Sequence, residues 1–176
     1  PDADGYRLLY QMSGVYAAHE APRPALIAAL FSSSDFHWRA WATRLVGLWA
    51  NGIDQPLNWV TRAAEDEHPR VRLEAVVAAS QVDSPQAVRV ATLVLERPLD
   101  HPINYALTQC IYAQAARWKP ALAAGQLDFG PRVHALARLL TTVGDQNIVG
   151  QVRELLQSKS LSPGARDSLL ATLIEN

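Results

Sequence analysis

The residues with the most chemical capacity crowd into "EDEHPR", Glu65 to Arg70, where three carboxylates, an imidazole and a guanidinium share six positions. Carboxylates and imidazoles are ordinary donors to a divalent cation, so on spacing alone the stretch could hold one. The same letters have a second use. An acid followed by Pro and an apolar helix caps a helix N-terminus and presets its first turn, and at a turn between helices that use takes precedence. His37, His68, His101 and His134 recur at spacings of 31, 33 and 33. A shared metal needs donors within about 2 Å, whereas positions repeated in stacked helices lie about 10 Å apart, so these residues read as caps and packing groups.

Other chemistry is thinly represented. No phosphate-cradling Gly loop, HExxH pair or GxSxG nucleophile turn occurs, and these are the spacings that common catalytic sites require. The single Cys110 lies in "YALTQCIYAQAA", with no internal disulfide partner and no second thiol of a CxxC site, so it reads as a buried small hydrophobe. No catalytic, metal or cofactor-binding residue is assigned, and no cofactor is expected in this chain. Five tryptophans, Trp38, Trp41, Trp49, Trp59 and Trp118, form the remaining distinctive set. Trp38 and Trp41 share a helix face with Leu45 and Leu48, which points to core packing. The competing reading is a partner groove, because aromatic and Arg residues dominate interaction hot spots. On that reading the candidate interface residues are Trp38, Arg39, Trp41 and Arg44.

The elements that must carry these residues are helices on a 33-residue ruler. "DFHWRAWATRLVGLW" (35–49), "EHPRVRLEAVVAAS" (67–80), "DHPINYALTQCIYA" (100–113) and "GPRVHALARLLTTVG" (130–144) fall in similar places. Shorter helices, "APRPALIAALFSS", "DQPLNWVTRAAED", "SPQAVRVATLVLER" and "DQNIVGQVRELLQS", separate them. Strand alternation is sustained nowhere. Leu73, Val76, Val77 and Ser80 fit a 3.6 period, as do Leu57, Val60 and Ala64. Pro24, Pro56, Pro69, Pro85, Pro102, Pro131 and Pro163 all fall near helix starts, where a missing backbone donor does little harm. A period of this length in helical text predicts stacked helical pairs, since one pair alone cannot cover its apolar face. The expected fold is an all-α, α-α superhelix, a right-handed solenoid of about five helical pairs with irregular ends, forming a single domain over 1–176 whose concave side binds.

The joint between pairs follows from this layout. Asp66 or Asp100 caps the next helix, Pro69 or Pro102 fixes its first turn after His68 or His101, and Arg72 reaches back to acids or open carbonyls. An Arg–Asp link of this kind would tie neighbouring repeats, with Val71 and Ala75 facing inward.

Composition bounds the partners. The 176 residues are 49% hydrophobic and 19% charged, and no apolar run approaches the roughly 20 residues that span a bilayer. With 14 Arg and 2 Lys against 17 acids, net charge is -1, which gives little pull toward phosphate backbones, so no nucleic acid is expected. The opening "PDADGYRLLY" has neither an initiator Met nor the order of a signal peptide, and the chain reads as a piece of a longer protein.

The stretch "DEHPRVRLEA" resembles the bacterial HEAT-repeat consensus, matched by Asp66, Pro69, Val71, Arg72 and Ala75. Residues 65–129 further resemble the HEAT segment of large exported bacterial haem-binding proteins that join a sugar-dehydrogenase-like propeller, a HEAT region and a cytochrome c module. The features that carry this are Asp83-Ser84-Pro85, Pro98-Leu99-Asp100, the Tyr105-Ala106-Leu107 helix, and the Trp118, Pro120, Leu122, Gly125, Leu127 and Phe129 series. No CxxCH is present, so covalent haem attachment, which belongs to that family's C-terminal module, does not transfer to this chain. The resemblance implies a non-catalytic scaffold contacting other proteins or neighbouring domains of its own polypeptide, in a periplasmic or exported setting. Two other classes compete: a HEAT-like DNA glycosylase acting on alkylated bases, and a small-ligand or glycan module in the Trp-rich N-terminal half.

Overall fold

A computed structural model describes residues 3–18 and 21–143. Among them every regular element is helical: α1 (Ala3–Ala18), α2 (Pro24–Phe31), α3 (Phe36–Leu48), α4 (Pro56–Ala64), α5 (Pro69–Gln81), α6 (Gln86–Ala91), a 3₁₀ segment (Thr92–Glu96), α7 (His101–Ala113), α8 (Ala115–Ala123) and α9 (Val133–Val143). The all-α helical repeat expected from the sequence is the architecture found. The helix expected over 145–158 and the start expected at Pro163 lie outside the described residues. Two compact units divide the chain, residues 1–114 and 115–176.

In the first unit α2–α3, α4–α5 and α6–α7 are three helical pairs. The second helix of each pair forms a row, α3 against α5 and α5 against α7, while α4 meets α6 on the other side. Proline sets the pairs: Pro24, Pro56, Pro69 and Pro102 each occupy the first turn of α2, α4, α5 and α7, where the absent N–H would have lacked an intrahelical acceptor anyway. Asp35, His68 and Asp100 are the N-caps of the row, accepting from the backbone N–H groups of His37, Arg70 and Ile103; Asp66, expected to cap α5, instead accepts the His68 backbone N–H, because it lies two residues before the cap. Ala42, Leu45 and Val46 from α3, Val71, Ala75, Val76 and Ala79 from α5, and Ile103, Leu107 and Ile111 from α7 are fully buried. Gly47 allows α3 to approach α5 closely, because a Cβ there would stand 3.0 Å from the Ala78 Cα.

Three local expectations shift. The helix expected over 84–97 breaks into α6 and the 3₁₀ segment, where Val88, Val90, Thr92 and Val94 are β-branched and Thr92 Oγ1 turns back to the Arg89 carbonyl at 2.7 Å, both of which weaken an α-helix. Leu48 and Val77, placed by periodicity on apolar faces, are 62% and 44% exposed. Residues 3–18 form α1, which the ruler does not place, and it packs on α3 and α2.

In the second unit α8 ends in a Schellman motif: Gly125, at φ 69, lets its own N–H reach the Leu122 carbonyl while the Gln126 N–H reaches that of Ala121. Trp118, Leu127, Phe129, Leu136 and Leu139 are buried.

Candidate protein-interaction face

The row of second helices places two kinds of polar assembly side by side: joints at the N-terminal ends of the helices, and a charged cleft along their open face. The first joint belongs to Arg39. Its side chain is only 11% exposed, and every nitrogen has an acceptor. Nη1 donates to the Ser33 and Ser34 carbonyls at 3.1 and 2.8 Å, Nε to Asp66 Oδ2 at 2.8 Å, and Nη2 to Asp66 Oδ1 at 3.0 Å. This is the bidentate fork that Arg offers a carboxylate. Asp66 Oδ1 also accepts the His68 backbone N–H at 2.8 Å. Burial works to raise the Asp66 pKa, but the Arg39 and His68 hydrogen bonds and the Arg39 charge outweigh it and hold the group below its ordinary value. The Arg39 guanidinium is raised in turn, first by its hydrogen bond to Asp66. The Phe36 ring stacks on His68 across the same joint, with centroids 3.4 Å apart.

The second joint belongs to Arg72, and it repeats only half of this. Nη1 donates to the Asp66 and Glu67 carbonyls at 3.0 and 2.8 Å, and Nη2 reaches the Pro98 carbonyl at 3.4 Å, but Nε is buried without a partner. Burial and the nearby Arg97 charge depress its pKa. Asp100 does not take the role of Asp66. Its carboxylate caps α7 through the Ile103 N–H at 2.9 Å. The caps Asp35, His68 and Asp100 are spaced 33 and 32 residues apart, so the His68-Pro69 echo in His101-Pro102 is out of structural register by one. His68 is a cap, whereas His101 is the first, exposed residue of α7 and Pro102 follows it. In cap register Pro98 stands where Asp66 stands.

The cleft lies between α3 and α5. Phe36, His37, Trp41, Arg44, Arg70 and Glu74 line an open cavity of about 370 Å³. Glu74 is the buried member, its side chain 4% exposed, and it accepts from Arg44 Nε and Nη2 at 3.2 and 3.0 Å and from Arg70 Nη2 at 2.8 Å. Arg44 and Arg70 are themselves about half exposed. Trp41 is half-buried, with Tyr10 against its ring at 4.8 Å and its Nε1–H donated to Ser13 Oγ. Trp38 stacks on Tyr6 at 5.8 Å. Of the four candidate interface residues, then, Arg44 opens onto the cleft, Trp41 forms its wall, Trp38 lies beneath α1, and Arg39 is buried in the joint.

Two residues went unsingled by sequence reasoning. Glu74 sits 30 positions from Arg44, a separation no local pattern reports. Gln114 is 1% exposed, and its Nε2 donates to the Ala79, Ser80 and Val82 carbonyls at 3.2, 3.0 and 3.0 Å; it thereby closes the C-terminal end of α5 from the end of α7. The only available signal was a lone Gln ending an apolar helix. Cys110 is buried, and burial pushes its thiol up to about 12, far from the thiolate that redox or nucleophilic chemistry uses. Among the described residues no group of three or more His, Cys, Asp or Glu converges as a metal site, and no helix is long and apolar enough to cross a membrane.

A family model described as HEAT repeats matches residues 23–111, half of the chain. No curated protein and no solved structure matches it.

Proposed function

The chain belongs to the HEAT-repeat family, and from that premise we propose that it is a non-catalytic scaffold whose α3–α5 face binds a protein partner or a neighbouring domain of its own polypeptide. HEAT repeats act generally as protein-interaction scaffolds, since stacked pairs present extended surfaces. The observation that carries the reading is the division of labour in the row. The joints bury their arginine, while the adjoining face exposes Leu48, Val77, Arg44 and Arg70 beside a wall of Trp41. Exposed apolar and Arg side chains around an aromatic anchor are the composition of an interface core.

A photo-crosslinking residue at Val77 in cells tests this against one at Asn58, on the first helix of the pair. Discrete adducts from Val77 and none from Asn58 are expected. Equal labelling at both positions would remove the face from its role. The finer reading, supported by the resemblance of residues 65–129, is a bridge inside an exported electron-transfer protein. Its test is the intact mass and visible spectrum of the native polypeptide: a much larger protein with haem absorbance is expected, and a free 19.3 kDa chain without haem overturns that setting.

A further inference from the structure

We propose that the cleft between α3 and α5 is a specific subsite for an acidic side chain, a Glu or Asp of the bound protein; this deepens the scaffold reading and rests on it. Three observations converge on that chemistry.

The first is charge count. Two guanidiniums, Arg44 and Arg70, share one carboxylate, Glu74, which leaves the cluster one positive charge in excess. The acids nearest in sequence to the lining residues are not part of the wall: Asp35 is engaged by the His37 backbone N–H and ring at 2.9 and 2.8 Å, and Glu67 lies 3.5 Å from Arg39 Nη2 in the first joint. The second is donor count. Arg44 spends Nε and Nη2 on Glu74 and Arg70 spends Nη2, so Nη1 of Arg44 and Nε and Nη1 of Arg70 remain as donors on side chains about half exposed. The third is preorganisation. Glu74 is buried, with its side chain 4% exposed, and it pins both arginines in place, so an incoming carboxylate does not have to order them. Phe36 and Trp41 provide low-dielectric walls that strengthen the field of the excess charge. The cleft thus already holds one carboxylate, its own, and presents the outer donors of the same arginines to a second.

The internal carboxylate makes the test two-directional. The probe is a fluorescein-labelled peptide of alternating Glu and Leu, titrated by anisotropy into the whole chain at low salt, beside its Gln–Leu counterpart. The Glu peptide should bind at least about tenfold more tightly than the Gln peptide. Arg44→Ala and Arg70→Ala should each weaken it about tenfold, and Glu74→Gln should tighten it, because the amide oxygen still accepts from the arginines while the excess positive charge of the cluster rises from one to two. A merely structural Glu74 predicts the opposite sign for that last variant, with thermal melts reporting any loss of fold separately. Equal binding of the two peptides, unchanged affinity in both alanine variants, or full displacement by inorganic phosphate at matched ionic strength overturns the acidic subsite. A partner that crosslinks at Val77 equally well in the Arg44→Ala/Arg70→Ala protein overturns the subsite and leaves the scaffold reading standing; absence of any Val77 adduct removes the scaffold reading itself.

Discussion

The joint between the first and second helical pairs closes on a carboxylate, and the joint between the second and third closes on backbone oxygens alone. Arg39 and Arg72 are equivalent on the 33-residue ruler, and each sends Nη1 to two successive carbonyls of the turn before its helix, Ser33 and Ser34 or Asp66 and Glu67. They part at the next repeat. Arg39 finds both oxygens of Asp66, whereas Arg72 finds one long contact to Pro98 and leaves Nε unpaired. The constant half of the joint therefore lies within one repeat, where turn and helix are bound by local geometry. The variable half crosses to the next repeat, where the position two before the cap is Asp66 in the first joint and Pro98 in the second.

The sharpest way to break this comparison is to remove each arginine. Arg39→Ala leaves Asp66 as a largely buried charge and also strands two carbonyls, and should lower unfolding stability by about 3 kcal/mol, the range for breaking one side of a buried ion pair. Arg72→Ala removes hydrogen bonds to carbonyls but abandons no carboxylate, and should cost about 2 kcal/mol. Urea unfolding of the two variants measures both. An Arg72→Ala loss equal to or greater than that of Arg39→Ala would mean that the carboxylate adds nothing to the joint.

A smaller effect separates the joints by pH. Asp66 has its pKa lowered in the folded state, so its pairing contributes stability that is complete above the unfolded value of about 3.9 and is lost as pH falls through the lower folded value. Replacing Asp66 with Asn should flatten the acid limb of the stability–pH profile. Arg72→Ala should shift the whole profile down with the limb intact, because none of its bonds ends on a carboxylate. A flattened limb in Arg72→Ala would show that its joint depends on a titrating acid.

The contrast also explains what could be read from the letters. Prolines and caps act within a few residues, so Pro24, Pro56, Pro69 and Pro102 marked their helices, and the reach of Arg72 to the preceding carbonyls followed from a six-residue span. The Arg39–Asp66 fork joins residues 27 apart, and the cleft joins Arg44 to Glu74 across 30. Such pairs depend on how helices register against each other, which a 33-residue ruler approximates and a single-residue shift defeats. The His101-Pro102 echo is the clearest case: the letters repeat at 33 while the caps repeat at 32. Trp38 and Trp41 were legible as a pair on one face, but their cover comes from Tyr6, Tyr10 and Ser13 on α1, a helix outside the repeat.

The smallest predicted effect tests the cap register directly. If Pro98 occupies the place of Asp66, then Pro98→Asp puts a carboxylate where Arg72 Nε and Nη2 lack one and should raise stability by about 1 kcal/mol. Pro98→Ala separates this gain from the loss of the proline ring, which by itself frees the unfolded chain and destabilises. The decisive quantity is the coupling in a double-mutant cycle between Pro98→Asp and Arg72→Ala. A favourable coupling means that the new acid meets Arg72 and that the second joint lacks only its carboxylate. Zero coupling would mean that position 98 faces elsewhere and that the joints differ in backbone path as well as in side chain. The nearby Arg97, whose charge already depresses Arg72, would also be neutralised by the new acid, so Arg97→Gln alone should recover part of the gain without any coupling to position 98.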